Sequence, residues 1–262
     1  MQEVAFKFKC EPADRRVFTE IFKRQAELAA DLRNDLFTAT YQAWKREGFP
    51  SLWRSIFNEA QKTIRAQYKG VLPAAVLEAC IGQVQAQFAN GQKRAKLKQR
   101  LELPRFSAKS IPIRSDKGMR FAVLPSDRAA LHVRVALSLL PEGKKGNTAV
   151  HILANDNGTV GILSRILNGY EARRWLHSER DRLKRQYPNE PAPLISKDML
   201  VTFDSYPPSS AGAVIYDAGR FFLSIGYTRP KECLRQLDPT RVMAIDVGIS
   251  SPLTVAFNFN KH

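Results

Sequence analysis

The sequence predicts an α+β fold in which a helical bundle is inserted into an antiparallel β-barrel, followed by the first strands of a further domain. Three observations predict it. An alternating N-terminal segment is typical of a strand, three amphipathic stretches of helical period follow, and short strand-like segments with turn signals come after residue 104. The pattern changes again at Asp238-Pro239, before a near-continuous apolar run.

The first strand and the helical bundle account for the first hundred residues. Apolar and polar residues alternate from Val4 to Cys10, so residues 1–12 are predicted to be a strand of the barrel. Three amphipathic helices are predicted over residues 13–100, with Asp14 at the start of the first. Successive helices of this kind favour a small bundle.

Residues 101–238 are predicted to complete the barrel. Leu131 to Leu139 alternates strictly, as in a half-buried strand. Asp217-Ala-Gly-Arg220 is a turn signal that makes residues 213–227 a hairpin. Residues 239–262 follow as the third segment.

Three further elements are predicted inside the barrel segment. The stretch near 170–187 is expected to be an inserted helix. Asn155 to Gly158 has the composition of a turn between strands. Met199 to Phe203 is predicted to be another strand.

The composition excludes several classes of protein. Of 262 residues, 41 are Lys or Arg and 25 are Asp or Glu, giving a net charge of +16, while 44% are hydrophobic. That hydrophobic content excludes a disordered basic tail. No apolar run approaches the ~18 residues that span a bilayer, so no membrane partner is expected. Three distant cysteines, Cys10, Cys80 and Cys233, favour a reducing, cytoplasmic location and packing as small apolar residues.

Positive charge is concentrated between Lys93 and Arg120. Only two acids, Glu102 and Asp116, lie among the ten cations there. The cations repel one another, and bound phosphate groups would neutralise them. The segment therefore predicts nucleic-acid contact by Lys93, Arg94, Lys96, Lys98, Arg100, Arg105, Lys109, Arg114, Lys117 and Arg120. A second cluster, from Arg173 to Arg185, has mixed signs and is typical of a solvated face.

Polar positions of the third helix are candidates for reading a duplex. Glu78, Gln83 and Gln85 lie there, with Lys109 in the junction that follows. Amide side chains pair well with adenine edges in the major groove. A solvated helix face explains the glutamines equally well.

Two sets of large or titratable side chains remain. His132 and His151 lie in strand patterns and are predicted to be barrel-surface residues rather than metal ligands. Trp44, Trp53 and Trp175 are predicted to be core residues, with Trp175 the best of the three for stacking on a base.

Asp246 is the candidate catalytic residue and metal ligand. It is the single acid in the apolar run from Val242 to Val247, and Gly248 follows it. A carboxylate in such a run is costly unless it is paired, hydrogen-bonded or bound to a cation. The alternative is a strand-end aspartate that caps a turn. An Asp-x-Gly strand of this kind resembles both the first carboxylate strand of RuvC-type nucleases and the first phosphate loop of actin-like ATPases.

The order of the segments resembles one family. A first strand, a helical insertion, a strand-rich barrel and the segment from Arg241 to Phe257 are similar to TnpB transposon-associated nucleases and compact type V CRISPR effectors. Leu103-Pro-Arg-Phe106 resembles the family's junction after the helical lobe. Residues 214–227 resemble the hairpin before its first RuvC segment.

The resemblance implies a domain for each segment. Residues 13–100 would be a recognition lobe, residues 1–12 and 101–238 a wedge barrel of OB-like type, and residues 239–262 the start of a ribonuclease-H-like RuvC domain. The chain would then be the N-terminal part of an RNA-guided DNA endonuclease, with guide RNA and target DNA as partners, in a prokaryotic cytoplasm associated with the nucleoid.

The same resemblance implies an incomplete nuclease. Asp246 would be the first ligand of Mg²⁺, and the family's later carboxylates do not occur here, so the chain alone is expected to bind without cutting. It has no Cys-x-x-Cys pair, and no zinc site is expected. The alternatives are a non-cleaving RNA- or DNA-binding protein and, less favoured, an actin-like ATPase or phosphotransferase fragment.

Overall fold

The structure is a computed structural model. It describes residues 1–47, 53–96, 105–126, 130–144, 146, 148–188 and 200–231, with backbone alone for 91–96, 243–246 and 254–257. The chain divides into two compact units, Met1–Pro230 and Lys231–His262. The predicted domain boundary at 238/239 lies outside the described residues.

The first unit combines helices with an antiparallel sheet, as predicted. Its helices are α1 (Arg15–Arg46), α2 (Trp53–Tyr68), α3 (Ala74–Lys96), the single turn α4 (Ser115–Gly118) and α5 (Asn157–Gln186). Its strands are β1 (Gln2–Pro12), β2 (Ser110–Pro112), β3 (Met119–Leu124), β4 (Leu131–Leu137), β5 (Ala149–Ala154), β6 (Pro208–Asp217) and β7 (Arg220–Arg229). None of the described helices is long and apolar enough to cross a bilayer.

Strand β1 is the centre of the sheet. The seven strands lie in the order β2-β6-β7-β1-β5-β4-β3. β1 pairs with β7 from Gln2 to Cys10 and then with β5 at Glu11 and Pro12, so one strand belongs to both halves. Because α1, α2 and α3 lie between β1 and β2 in the chain, the helical bundle is an insertion in the sheet, as predicted.

The sheet is curled into a half-barrel. Its two edge strands, β2 and β3, are consecutive in the chain and are joined by residues 113–118. Seven flat strands would separate these edges by about 29 Å. The connection spans at most about 25 Å when fully extended, and less because it contains the turn α4. The strands therefore bend toward each other.

Ser115 in α4 fastens this curl. Its hydroxyl donates to the carbonyl of Ala211 at 2.6 Å and accepts from the N–H of Gly226 at 3.0 Å. A β-bulge interrupts the pairing of β6 with β7 between Pro208 and Gly212, which leaves these backbone groups for the serine. A Cβ at Gly212 would collide with the Ser115 hydroxyl, so the bulge needs glycine there.

Helix α1 connects the sheet to the helical bundle through aromatic side chains. Phe18 and Phe22 pack edge-on against Phe221 of β7, with ring centroids at 5.1 and 5.4 Å. Near its other end, Phe37 stacks on Phe88 of α3 at 4.7 Å. Trp53 of α2 stacks on the same Phe88 ring at 5.8 Å. Sheet and bundle share one continuous core.

Two of the predicted barrel elements are wrong. Asn155 to Gly158 is the start of α5, because the Asp156 carboxylate caps the helix by accepting from the N–H of Thr159 at 2.8 Å. Aspartate makes the same local hydrogen bond in turns and at helix starts, which explains the misreading. The described part of the Met199–Phe203 segment is not a strand, and Thr202 instead bonds to Ser205 across a tight turn.

The second unit contains a pair of antiparallel strands, β8 (Met243–Asp246) and β9 (Thr254–Phe257). Asp246 is the last residue of β8 and lies opposite Thr254. The sequence places a strand and a returning strand in this region. A ribonuclease-H-like domain here stays a prediction.

Candidate nucleic-acid interface

A groove between α2, α3, α4 and the β6 bulge brings together several of the predicted nucleic-acid residues. Its lining includes Glu78, Gln83, Gln85, Arg114 and Lys117. We call it the Glu78 groove. Residues from the third predicted helix and from the basic segment, separated by some thirty positions in the chain, therefore share one surface.

A buried carboxylate lies behind this groove. Asp116 in α4 has a side chain only 2% exposed. Arg114 donates to both its oxygens, Nε to Oδ1 at 2.9 Å and Nη2 to Oδ2 at 2.7 Å, and Arg173 of α5 donates to Oδ2 at 3.3 Å. Burial alone would raise the pKa of Asp116, but the hydrogen bonds and positive charges of the two arginines outweigh burial and hold that pKa below its usual value.

Glu78 extends this ion pairing into the groove. It accepts from Arg114 Nη1 at 2.9 Å and from Lys117 Nζ at 3.2 Å, and Arg65 of α2 is 3.9 Å away. Glu78 and Arg114, both predicted to contact nucleic acid, are thus engaged within the protein. Lys117 and Arg65 keep side chains 53% and 48% exposed, so these two remain accessible to a phosphate.

Gln83 is held by an arginine that the sequence analysis missed. Arg33 of α1 is 4% exposed, donates to Gln83 Oε1 at 3.0 Å and binds the carbonyl of Ala29 at 2.8 Å. The amide oxygen of Gln83 is therefore occupied, while Gln85 is exposed with no such bond among the described residues. The sequence does contain a signal for this buried cation, because Arg33 lies on the apolar stripe of α1 next to Leu32.

The junction that leaves the helical bundle is fixed to α1. Asn34 donates to the carbonyl of Phe106 at 3.2 Å and accepts from its N–H at 3.0 Å. The Arg33 guanidinium lies 4.9 Å from the centroid of the Phe106 ring. The Pro-Arg-Phe junction noted in the sequence thus has a defined anchor at Phe106.

The rest of the basic segment divides between exposed and undescribed positions. Arg105, Lys109 and Arg120 are exposed. Lys93, Arg94 and Lys96 lie at the end of α3, where only the backbone is described, and Lys98 and Arg100 lie outside the described residues. Their contact with nucleic acid stays a prediction.

The outer face of β3, β4 and β5 carries cations beyond that segment. Arg134 of β4 is exposed and shares this face with Arg120, because Arg120 pairs with Ala136, two residues from Arg134. His132 and His151 lie beside them with ring nitrogens 3.0 Å apart. Both are surface strand residues, as predicted. Burial, His132 and Arg134 together lower the pKa of His151.

Trp175 is not a core residue. Its side chain is 64% exposed on α5, whereas Trp44 and Trp53 are buried as predicted. The first half of α5 is held by Gly169, which lies against the backbone of Tyr206 and Pro207. Its second half has few buried contacts and exposes Arg180, Lys184 and Arg185, which have no carboxylate partner among the described residues.

The two described cysteines offer no reactive thiolate. Burial raises the pKa of both Cys10 and Cys80 to about 12. Both pack in the core, as predicted, and Cys233 lies outside the described residues. Because both side chains are buried, neither is a candidate nucleophile.

Comparison with known proteins identifies the fold. No family model and no curated protein matches the chain. A solved structure of a CRISPR-Cas12f ternary complex is similar with a TM-score of 0.55 and 14% sequence identity, over 91% of this chain and 46% of that one. The fold resembles that of Cas12f. A second structure, a Cas12f1–sgRNA–target DNA complex, aligns with a TM-score of 0.44 and 13% identity, over 100% of this chain and 56% of that one.

The coverage is asymmetric. The chain spans about half the length of the Cas12f chains it matches.

Asp246, the candidate metal ligand, lies at the end of β8 in the second unit, and its side chain is not among those that the structure describes. Among the side chains that the structure describes, no three His, Cys, Asp or Glu residues form a group that could hold a metal ion.

Proposed function

We propose that the chain is the N-terminal part of an RNA-guided DNA endonuclease and that it binds guide RNA and target DNA. The fold similarity to the Cas12f ternary complex carries this proposal. The net charge of +16 supports it independently, because a polyanion is the natural partner of such a field. Guide pairing would read the sequence while the protein binds the backbone.

The exposed cations would bind the phosphates. Lys117 and Arg65 at the rim of the Glu78 groove are held by Glu78 and so are prepositioned. Arg120 and Arg134 extend a positive surface across the outer face of β3 and β4. Gln85 is exposed in this groove and would contact a base edge in a duplex bound there.

Cleavage would belong to the longer parent protein. Asp246 would contribute one carboxylate to a magnesium site, and further carboxylates would complete it. Two-metal hydrolysis activates water and stabilises the leaving oxygen. We propose that this chain by itself binds without cutting, in a prokaryotic, TnpB-like or Cas12f-like setting.

The decisive experiment is RNA binding as a function of salt. Purified protein is expected to retain RNA, and its affinity for single-stranded RNA should fall steeply and log-linearly with NaCl. Replacing Lys117, Arg120 and Arg134 by serine should flatten the slope by about 0.7 per lost phosphate contact. Fluorescence anisotropy of labelled RNA at several salt concentrations measures this.

The matched control is Arg182→Ser. Glu179 neutralises Arg182 one to one at 2.6 Å, whereas Lys117 shares the single carboxylate of Glu78 with two arginines, so the loss of Arg182 should leave the slope nearly unchanged. Protein that purifies free of RNA and shows no salt-sensitive affinity would contradict the proposal. The non-cleaving alternative is favoured if the chain binds RNA but the longer parent protein shows no magnesium-dependent cutting. Cutting that is lost in Asp246→Asn would favour the nuclease instead.

A further inference from the structure

A second cleft, far in the chain from the predicted nucleic-acid residues, contains an unpaired buried amide. It has a volume of about 300 Å³ and lies between the first half of α1, the turn from α2 to α3 and the turn after β4. We call it the Gln25 cleft. Its walls are largely apolar and are formed by Ile21, Val71, Leu140 and Pro141.

Gln25 is the polar group within this cleft. Its residue is 3% exposed, and the side-chain oxygen Oε1 has no hydrogen-bond partner among the described residues. A buried amide oxygen without a partner destabilises a fold, and a ligand that donates a hydrogen bond to it would recover that cost. An amide presents one donor and one acceptor side by side, which suits a flat group with the complementary pair.

The exposed rim of the cleft carries cations. Arg24 and Lys144 both line it, and neither has a carboxylate partner among the described residues. The rim also holds one acid, Glu20, which lies 3.8 Å from Arg16 and is partly neutralised by it. The local charge therefore favours an anion.

Two glycines fix the shape of the opening. Gly70, two residues after the end of α2, has φ of +79°, and Gly143 has φ of +82°. Gly143 is the third residue of the turn in which the N–H of Lys144 donates to the carbonyl of Pro141 at 3.1 Å. A positive φ at this position defines a type II turn and favours glycine. Lys144 is thus directed by a constrained turn.

We propose that the Gln25 cleft binds one adenine nucleotide. The base lies between the apolar walls, the Gln25 side chain turns out of the wall to pair with the hydrogen-bonding edge of the base, and the phosphate lies between Arg24 and Lys144. Glutamine is the side chain whose amide pairs bidentately with adenine. The volume of about 300 Å³ is at the lower end for ligand pockets, which favours one small ligand. The nucleotide is either free AMP or a residue extruded from bound RNA, and the site does not depend on the RNA-guided role.

Calorimetric titration of the whole chain with AMP tests this site. AMP is expected to bind more tightly than GMP, CMP or UMP. Gln25→Leu, which keeps the volume and removes the amide, should weaken AMP binding roughly tenfold. The same variant should raise the Tm of the free protein, because it removes the unpaired amide. Gln42→Leu, at an exposed position of the same helix, is the matched control for both readouts.

The rim and the source of the nucleotide are tested separately. Arg24→Ser with Lys144→Ser should weaken AMP binding and leave adenosine binding unchanged. A hexameric oligoadenylate RNA distinguishes the two sources. If the protein binds this RNA more tightly than AMP, and Gln25→Leu weakens both affinities equally, the nucleotide is a residue extruded from RNA. If the RNA binds with equal or lower affinity than AMP, the ligand is free AMP. The proposal is overturned if neither AMP nor the oligoadenylate binds. It is also overturned if Gln25→Leu binds AMP and the oligoadenylate as tightly as the unaltered protein does. A raised Tm would then mark Gln25 as a core amide without a ligand.

Discussion

At the scale of single residues, the charges with the most defined geometry are internal. Asp116 is enclosed by Arg114 and Arg173, which come from two different parts of the chain. Arg173 also donates to the carbonyl of Pro208 at 3.0 Å, so one guanidinium joins α5, α4 and the start of β6. The carboxylate therefore determines where these elements meet.

Asp116→Asn should destabilise the protein by about 3 kcal/mol at neutral pH, because it leaves two arginines without their buried counter-charge. Urea unfolding monitored by circular dichroism measures the change. Asp181→Asn, at an exposed position of α5, should change the free energy of unfolding very little. Equal stability of Asp116→Asn and the unaltered protein would show that the arginines are fully solvated.

The pH dependence of this difference has a definite sign. The folded-state pKa of Asp116 is below its usual value near 3.8. Its stabilising contribution is therefore complete above that usual value and is lost as pH falls through the lower, folded-state pKa. The gap between Asp116→Asn and the unaltered protein should accordingly narrow only in that acid range, below about pH 4.

At the scale of elements, α4 closes the sheet. This single turn contributes Ser115, whose hydroxyl bonds both sides of the β6–β7 bulge, and Asp116, which binds the arginines. Ser115 has no exposed surface. A four-residue turn between the two edge strands thus supplies the contacts that hold the half-barrel in its curled form.

Ser115→Ala should cost about 2 kcal/mol, because the Gly226 N–H and the Ala211 carbonyl both lose their buried partner. Hydrogen exchange should show faster exchange of the Gly226 amide relative to the centre of β7. Ser210→Ala, exposed in the same bulge, is the matched control and should leave both quantities unchanged. Unaltered exchange at Gly226 in Ser115→Ala would mean that another group satisfies that amide.

The elements also show what the sequence could predict. Hydrophobic period predicted α1, α2 and α3, because each buries one continuous face along its own length, and the turn signal at Asp217 to Arg220 predicted the β6–β7 hairpin. Asp156 was misassigned, because an aspartate makes the same bond at a turn and at a helix start. β2 and α4 have too few residues to show a period, so the closing role of Ser115 depends on tertiary pairing that only the structure contains.

The candidate interface divides in the same way. Net charge and clustering indicated a polyanion partner from composition alone. They could not distinguish Arg114, bound to two carboxylates, from Arg120, which is exposed, because the difference lies in which residues fold beside each one. Trp175 was assigned to the core because large aromatic residues usually are buried, and its exposure reflects the uncovered second half of α5.

At the scale of the whole molecule, a net charge of +16 produces repulsion that exposed ion pairs cannot offset. Pairs such as Lys62–Glu59 are more than 70% exposed on both sides and contribute little. The free protein should therefore gain stability when its charges are screened. A polyanion should have the same effect at low salt, because it supplies the missing negative charge.

Raising NaCl from 0.1 to 1 M shortens the screening length from about 10 to about 3 Å. The Tm of the free protein should rise over this range, whereas RNA should raise it at 0.1 M and lose that effect at 1 M. Replacing the exposed Lys23, Arg54, Lys69 and Lys184 by glutamine lowers the charge from +16 to +12 (16 − 4) and should raise the Tm at 0.1 M while reducing its dependence on NaCl. Because a general salting-in or salting-out effect would act on both proteins alike, the difference between them isolates repulsion. A Tm that falls with NaCl, or a less stable glutamine variant, would show that attractive pairs dominate this surface.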